Sequence, residues 1–154
     1  MDLFALTRAL IDLDSTTGHE QPVVDFLFAH LSEMASHNTG RMERMNAVPG
    51  RDNLLVSFGN PLVTLSTHMD TVPPYFRSSE DTTHIFGRGA CDAKGIIAAM
   101  IGAAESLLAC GTRDFALLFV VGEERDSAGA TAAASVQRTS MRNGNPPIDC
   151  CPQE

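Results

Sequence analysis

The sequence has few basic residues and no cluster of them. Its 154 residues include 11 lysines and arginines against 19 aspartates and glutamates, which gives a net charge of -8. Nucleic acids and anionic membrane surfaces are bound through clustered lysine and arginine, so this charge pattern argues against both as partners. We therefore expect a small or neutral binding partner.

Long apolar runs and paired cysteines are also missing. No stretch is apolar over the roughly 18 residues that a membrane span needs, and no basic region precedes the apolar residues at the N-terminus, as it would in a signal peptide. The 4 cysteines form no C-x-x-C pair, which argues against a thiolate zinc site and against a disulfide framework. We therefore predict a cytoplasmic protein with reduced thiols.

The composition that is present fits one domain. A chain of 154 residues, 44% of them hydrophobic, can bury a single core. Apolar periodicity predicts helices over residues 2–13, 23–34, 96–108 and 128–136. Thr17 and Glu20 form a capping-box pattern before the second helix. We expect residues 1–137 to form the folded part and residues 138–154 to be a loop or disordered tail.

Strands are predicted between these helices. Residues 40–48 have a weak edge-strand pattern and residues 54–58 a stronger one. Gly59-Asn60-Pro61 then turns the chain into an apolar, buried strand that ends at His68, so we expect these last two strands to be neighbours in the sheet. Residues 115–121 predict another buried strand, and strand, helix and strand then form a parallel βαβ unit.

Ionisable side chains follow two of the predicted buried strands. His68 and Asp70 come two residues apart and point the same way in extended chain, while Glu123 and Glu124 follow the strand at 115–121. Ligands of α/β proteins bind beyond the carboxyl ends of strands. An imidazole there can bind a metal while a carboxylate behind it accepts its other N–H. Two adjacent carboxylates are costly to desolvate unless a cation accompanies them.

Asp92 completes the candidate set. It stands just before the helix predicted at 96–108, and for this residue alone a helix cap is the simpler interpretation. Together, however, the five acidic or imidazole residues lie at the edges of buried elements facing one rim, and we predict that they form one metal site. The remaining histidines are interpreted as solvated surface residues: His19, His30, His37 and His84.

Three blocks of sequence resemble one enzyme family in their order and spacing. They are STHMDTVP at Ser66–Pro73, GRGACDAKG at Gly87–Gly95 and VGEE at Val121–Glu124. These blocks resemble those of the acetylornithine deacetylase, succinyl-diaminopimelate desuccinylase, aminoacylase and carboxypeptidase G family of dinuclear zinc hydrolases, over about residues 3–130. The resemblance implies an α/β three-layer sandwich with a mainly parallel, mixed central sheet.

The resemblance also implies a role for each candidate residue. His68 binds one metal ion, Asp92 bridges both ions, and Glu124 binds the second. Asp70 clamps His68 from behind, and Glu123 is the general base. Two Zn²⁺ ions are implied, with Co²⁺ or Mn²⁺ as possible substitutes, together with a cis peptide bond at Asp92–Ala93.

The implied reaction is hydrolysis of an amide bond in N-acyl amino acids or small peptides. Family members continue beyond the end of this sequence with a further acidic ligand, a lid domain that often dimerises and a late histidine. Asp149 and Glu154 are candidates for the acidic ligand, but the lid and the histidine have no counterpart here. We therefore expect weak zinc binding, slow turnover at most, and a homodimer only with the missing domain.

Three interpretations stay open at this point. The first is the amino-terminal catalytic portion of a hydrolase in a truncated form, acting as a deacetylase, desuccinylase or carboxypeptidase. The second is a catalytically inactive remnant that serves as a binding or interaction module. The third is a catalytic portion whose missing domain comes from another chain.

Overall fold

The computed structural model describes residues 2–142, with side chains up to residue 135. The elements, in chain order, are α1 (Leu3–Ile11), α2 (Gln21–His37), β1 (Arg41–Val48), β2 (Arg51–Phe58), β3 (Val63–His68), β4 (Ser79–Glu80), β5 (Ile85–Phe86), a helical turn (Ala90–Lys94), α3 (Gly95–Ala109), β6 (Phe115–Val120) and α4 (Ala128–Arg142). No helix among the described residues is both long and apolar enough to cross a membrane.

The main sheet is mixed and has the strand order β1-β2-β6-β3. The predicted α/β class with helices around a mixed sheet is confirmed. Strand β3 precedes α3 in the chain and β6 follows it, and the two strands pair in parallel, as predicted for the βαβ unit. The sheet is not mainly parallel over the described residues, because β2 pairs antiparallel with both β1 and β6.

The prediction that the second and third strands are neighbours is wrong, because β6 lies between them. Asp114, just before β6, explains the insertion: its N–H donates to Phe58 O and its carbonyl accepts from Leu62 N–H. The segment leading into β6 thus separates the end of β2 from the start of β3. As a result β3 is an edge strand of the described sheet rather than a fully buried one, and Val63 is 52% exposed.

One apolar core joins the sheet to helices α1, α2 and α3. Strand β6 is buried along almost its whole length, as expected for a strand with neighbours on both sides. Alternate residues of β2 and β6 point into the core together with one stripe of each helix. The fully buried members with the largest apolar side chains are Phe58, Phe119, Leu10, Ile11, Leu27, Leu31, Leu54, Met69, Ile97, Ile101 and Leu117.

Helices α2 and α4 differ most from the sequence prediction. Helix α2 begins at Gln21, and Thr17 does not cap it, because the Thr17 hydroxyl donates to Asp70 instead. Helix α4 runs to Arg142 rather than ending at 136, since no proline or glycine interrupts residues 130–142, so residues 138–142 are not a loop. The rest of the predicted tail, with Asp149 and Glu154, lies outside the described residues.

Candidate metal centre

His68 is the last residue of β3 and lies between two aspartates. Its side chain is buried, with Nδ1 3.1 Å from the Asp70 backbone oxygen and 3.3 Å from Asp70 Oδ1. Its Nε2 is 2.8 Å from Asp92 Oδ1. The hydrogen bond to Asp70 and then that to Asp92 raise the pKa of His68 to about 9, although burial opposes the charged form. A pKa in this range favours the protonated imidazole at neutral pH when no metal ion is bound, with the carboxylates of Asp70 and Asp92 on either side.

Asp70 organises both strand ends of the site. It is fully buried, and its Oδ1 accepts a hydrogen bond from Glu123 N–H at 3.0 Å. Its Oδ2 accepts from Glu124 N–H at 3.1 Å and from the Thr17 hydroxyl at 2.8 Å. Burial alone would raise the pKa of Asp70, but these hydrogen bonds and the one from His68 outweigh it and lower the pKa. Asp70 thus connects β3 to the turn after β6.

Asp92 lies in the turn between β5 and α3 and does not cap the helix. Its backbone is extended, with φ -128° and ψ 96°, and the Asp92–Ala93 peptide bond is cis, as the resemblance implied. The preceding Gly89 has φ +81°, and a side chain there would collide with Thr71, which lies just beyond Asp70. This tight turn brings Asp92 to His68, while the Asp92 side chain stays 72% exposed on its other side.

Lys94 anchors the same turn and has no predicted role from the sequence. It is fully buried, and its ammonium group donates to the Leu13 carbonyl at 2.6 Å, just beyond the end of α1. Burial lowers the pKa of Lys94 to about 8, although the nearby charges of Asp14 and Asp12 favour the ammonium form. The turn that presents Asp92 is therefore fixed to α1.

Glu124 completes a group of three potential metal ligands. Ligand atoms of His68, Asp92 and Glu124 all lie within 4.8 Å of one another. Burial raises the pKa of Glu124, and the negative charges of Asp92, Asp70 and Glu123 raise it further, against the opposing effect of His68. One imidazole and two carboxylates around a concentration of negative charge suit a divalent cation such as zinc.

The five predicted site residues lie near one another in the structure, but not all of them supply potential ligand atoms. His68, Asp92 and Glu124 form the group of potential ligands, and Asp70 lies directly behind His68. Glu123 stands on the same turn as Glu124, with its amide bound to Asp70 and its side chain exposed. The other four histidines are exposed, and none joins a group of potential ligands in the part of the chain that the structure describes.

A cavity opens beside this group. It has a volume of about 440 Å³, and Asp92 and Glu124 form part of its wall. Three large apolar side chains line it and remain 38–49% exposed: Val72, Phe76 and Phe86. The Arg88 guanidinium lies 4.9 Å from the Phe76 ring centre, within cation–π distance. An apolar surface therefore adjoins the candidate metal ligands.

Fold and site together define a class of protein. An α/β sheet presents imidazole and carboxylate groups at the carboxyl ends of β3 and β6, where such folds bind ligands. The chain is thus an α/β domain with the donor set of a divalent metal. It belongs to Peptidase family M20/M25/M40, whose profile matches residues 64–151. The resemblance found in the three sequence blocks is confirmed, and this metallopeptidase family implies a divalent metal ion.

Individual relatives agree with this assignment. The chain is 37% identical over 141 residues to a peptidase M20 domain-containing protein of Schizosaccharomyces pombe, covering 87% of this chain and 35% of the relative. It is 36% identical over 142 residues to a probable carboxypeptidase of Emericella nidulans, covering 83% and 32%. The fold matches a tripeptidase of Staphylococcus aureus with a TM-score of 0.66 and 24% identity, covering 84% and 38%. The chain spans about a third of the length of these proteins.

Proposed function

We propose that this chain forms the metal-binding part of a hydrolase that cleaves an amide bond in small peptides or N-acyl amino acids. The observation that carries the proposal is the approach of His68, Asp92 and Glu124 to within 4.8 Å of one another. These residues come from three separate segments, and they meet at the strand ends where the fold binds ligands. The homologous peptidases and carboxypeptidases support peptides as the substrate class.

We propose that the donor set forms part of a site for two divalent ions, Zn²⁺, with Co²⁺ or Mn²⁺ as substitutes. His68 would hold one ion, Glu124 the other, and Asp92 both, because its carboxylate approaches His68 while remaining largely exposed. When bound, such ions polarise an amide carbonyl and lower the pKa of a bound water towards about 7. Asp70 keeps the imidazole of His68 oriented for metal binding through the contacts at Nδ1.

Glu123 is the proposed general base. Its backbone is fixed by Asp70 beside Glu124, and its carboxylate is exposed on the same turn. That carboxylate takes a proton from the attacking water and returns it to the nitrogen of the leaving amine. The hydroxyl of the water joins the acyl carbon as the C–N bond breaks, so the products are a carboxylate and a free amine.

The apolar cavity beside the site is the proposed substrate pocket. Phe76 and Phe86 form exposed walls next to Asp92 and Glu124, so an apolar part of the substrate would lie against them while its amide faces the carboxylates. We also propose that acetylated and succinylated amino acids are among the substrates, and that the protein is cytoplasmic.

A binding module without catalytic activity is the second candidate. It is favoured by the count of ligands, because the described residues supply three where two ions sharing a carboxylate need more. In that case the chain would hold a single ion weakly through His68, Asp92 and Glu124. A further ligand-bearing segment, contributed by another chain, would restore the first candidate.

Zinc titration by calorimetry, followed by assay on N-acetyl amino acids and dipeptides, distinguishes these candidates. The hydrolase proposal expects binding of two ions and hydrolysis that Glu123→Gln abolishes while zinc binding persists. Binding of one ion without hydrolysis would favour the binding module. Absence of zinc binding altogether would overturn both.

A further inference from the structure

Arg51, at the start of β2, is a partly buried cation that the proposed chemistry does not use. Its side chain is 12% exposed and contacts two carboxylates distant in sequence. Its Nε and Nη2 donate to Glu20, with the shortest distance 2.7 Å, and its Nη1 donates to Asp126 Oδ2 at 2.9 Å. Glu20 is fully buried, and it also accepts the N–H of Gly18. The guanidinium therefore joins the buried Glu20 to Asp126.

Asp126 belongs to the turn that carries the two glutamates of the site. The N–H groups of Asp126 and Ser127 both donate to the Gly122 carbonyl, at 3.2 and 2.6 Å, and so close a tight turn around Glu123 and Glu124. Gly122 has φ +72°, and a side chain there would collide with both Arg51 and Asp126. Arg51 thus lies directly against the backbone of this turn.

The turn is held from two sides. On one side Asp70 accepts the amides of Glu123 and Glu124. On the other side Arg51 holds Asp126, and Glu20 holds Arg51. An exposed pair such as Arg44–Asp25 has a similar length of 2.6 Å but joins α2 to β1, away from the turn.

We propose that Arg51 is a positioning residue for the metal site, which fixes the Glu123–Glu124 turn by tying Asp126 to the buried Glu20. This inference deepens the proposed function and rests on it for its consequence in metal binding. To act as a ligand, the Glu124 carboxylate must keep a fixed orientation and distance relative to the ion. Replacement of residues that orient metal ligands typically lowers metal affinity by about 10–100-fold. A turn released from Arg51 keeps its link to Asp70 but loses its second anchor.

The variant Asp126→Asn tests this with little risk to the fold. Asp126 is 49% exposed, and asparagine retains an oxygen for the Ala128 N–H while losing the charge that meets Arg51. Asp25→Asn, which breaks the exposed pair with Arg44, is the matched control. Two measurements are made on each: amide hydrogen exchange of residues 122–126 without metal, and Co²⁺ affinity with the visible spectrum of the bound ion.

We expect Asp126→Asn to speed exchange at the Glu123 and Glu124 amides and to weaken Co²⁺ binding by about 10-fold or more, with an altered spectrum. Asp25→Asn should change neither. Exchange and affinity within twofold of the unmodified chain would overturn the inference, as would an equal effect of Asp25→Asn. If the unmodified chain binds no Co²⁺, the proposed function fails, and the exchange measurement alone still decides whether Arg51 positions the turn.

Discussion

Asp70 shows how much of this site depends on single buried residues. Its carboxylate is fully buried and serves four groups: the imidazole of His68, the hydroxyl of Thr17 and the amides of Glu123 and Glu124. The resemblance implied only the contact with His68. The other three bonds connect segments far apart in sequence, so local patterns could not predict them.

Replacement of Asp70 by alanine tests this structural role. The change leaves two backbone amides and a hydroxyl without their acceptor, and each unsatisfied buried group costs about 1–3 kcal/mol. We expect the free energy of unfolding of the metal-free chain to fall by about 3 kcal/mol or more, measured by urea denaturation. Asp25→Ala removes an exposed ion pair and should have a much smaller effect. Equal losses for the two variants would contradict the role assigned to Asp70.

If His68 is a metal ligand, as proposed, its protonation makes metal binding depend on pH. Its pKa is raised from 6.5 to about 9, so between these values the metal-free folded chain keeps a proton on the imidazole that an unfolded chain would release. This proton contributes stability below pH 6.5 that is lost as the pH rises through 9. A metal ion needs the neutral imidazole and must displace the proton.

We therefore expect zinc binding at pH 7.5 to release about one proton from His68, and the zinc affinity to rise as the pH approaches 9. Calorimetry in buffers with different ionisation enthalpies measures the released proton. His84→Gln, which changes an exposed histidine outside the site, should leave the proton count unchanged. Release of no proton from the unmodified chain would contradict the raised pKa described for His68.

Among the elements, the turn at Ala90–Lys94 has the greatest effect on the site. The sequence predicted the apolar helix that follows it, because apolar side chains surround residues 96–108. It predicted Asp92 as part of the site, but not the burial of Lys94 or its bond to Leu13, since a charged residue gives no signal of a core position. Likewise, the order of β2, β6 and β3 depends on the contacts of Asp114, which no local pattern encodes.

Replacement of Gly89 by alanine tests whether the turn must pack closely against Thr71. Gly89 and Gly111 have nearly the same backbone conformation, with φ +81° and +79°. A side chain at Gly89 would collide with Thr71, whereas nothing lies within 4 Å of the corresponding position at Gly111. Gly111→Ala therefore measures the conformational cost alone, about 1 kcal/mol.

We expect Gly89→Ala to destabilise the chain by clearly more than Gly111→Ala, and to weaken zinc binding because Asp92 moves with the turn. Thermal unfolding and zinc titration of both variants measure the two effects. Similar results for the two alanine variants would show that the close approach of Gly89 to Thr71 does not shape the site.

On the scale of the whole molecule, the site exists only because folding joins three segments. His68 ends β3, Asp92 precedes α3 and Glu124 follows β6, and the parallel pairing of β3 with β6 places two of them at one edge of the sheet. The three sequence blocks predicted this convergence because each follows or precedes a strongly apolar element. The supporting roles of Thr17, Arg51 and Lys94 were not predicted in this way. Thr17 matched a helix cap that does not form, and the contacts of Arg51 and Lys94 are seen only in the fold.

The most direct test of the account is zinc binding by the unmodified chain compared with His68→Ala and His84→Ala. The first variant removes an imidazole from the group of three potential ligands, and the second removes an exposed imidazole outside it. We predict that the unmodified chain and His84→Ala bind zinc with the same affinity, while His68→Ala binds it at least about 100-fold more weakly. Equal zinc affinity of all three proteins would contradict the convergence of His68, Asp92 and Glu124 on a metal ion.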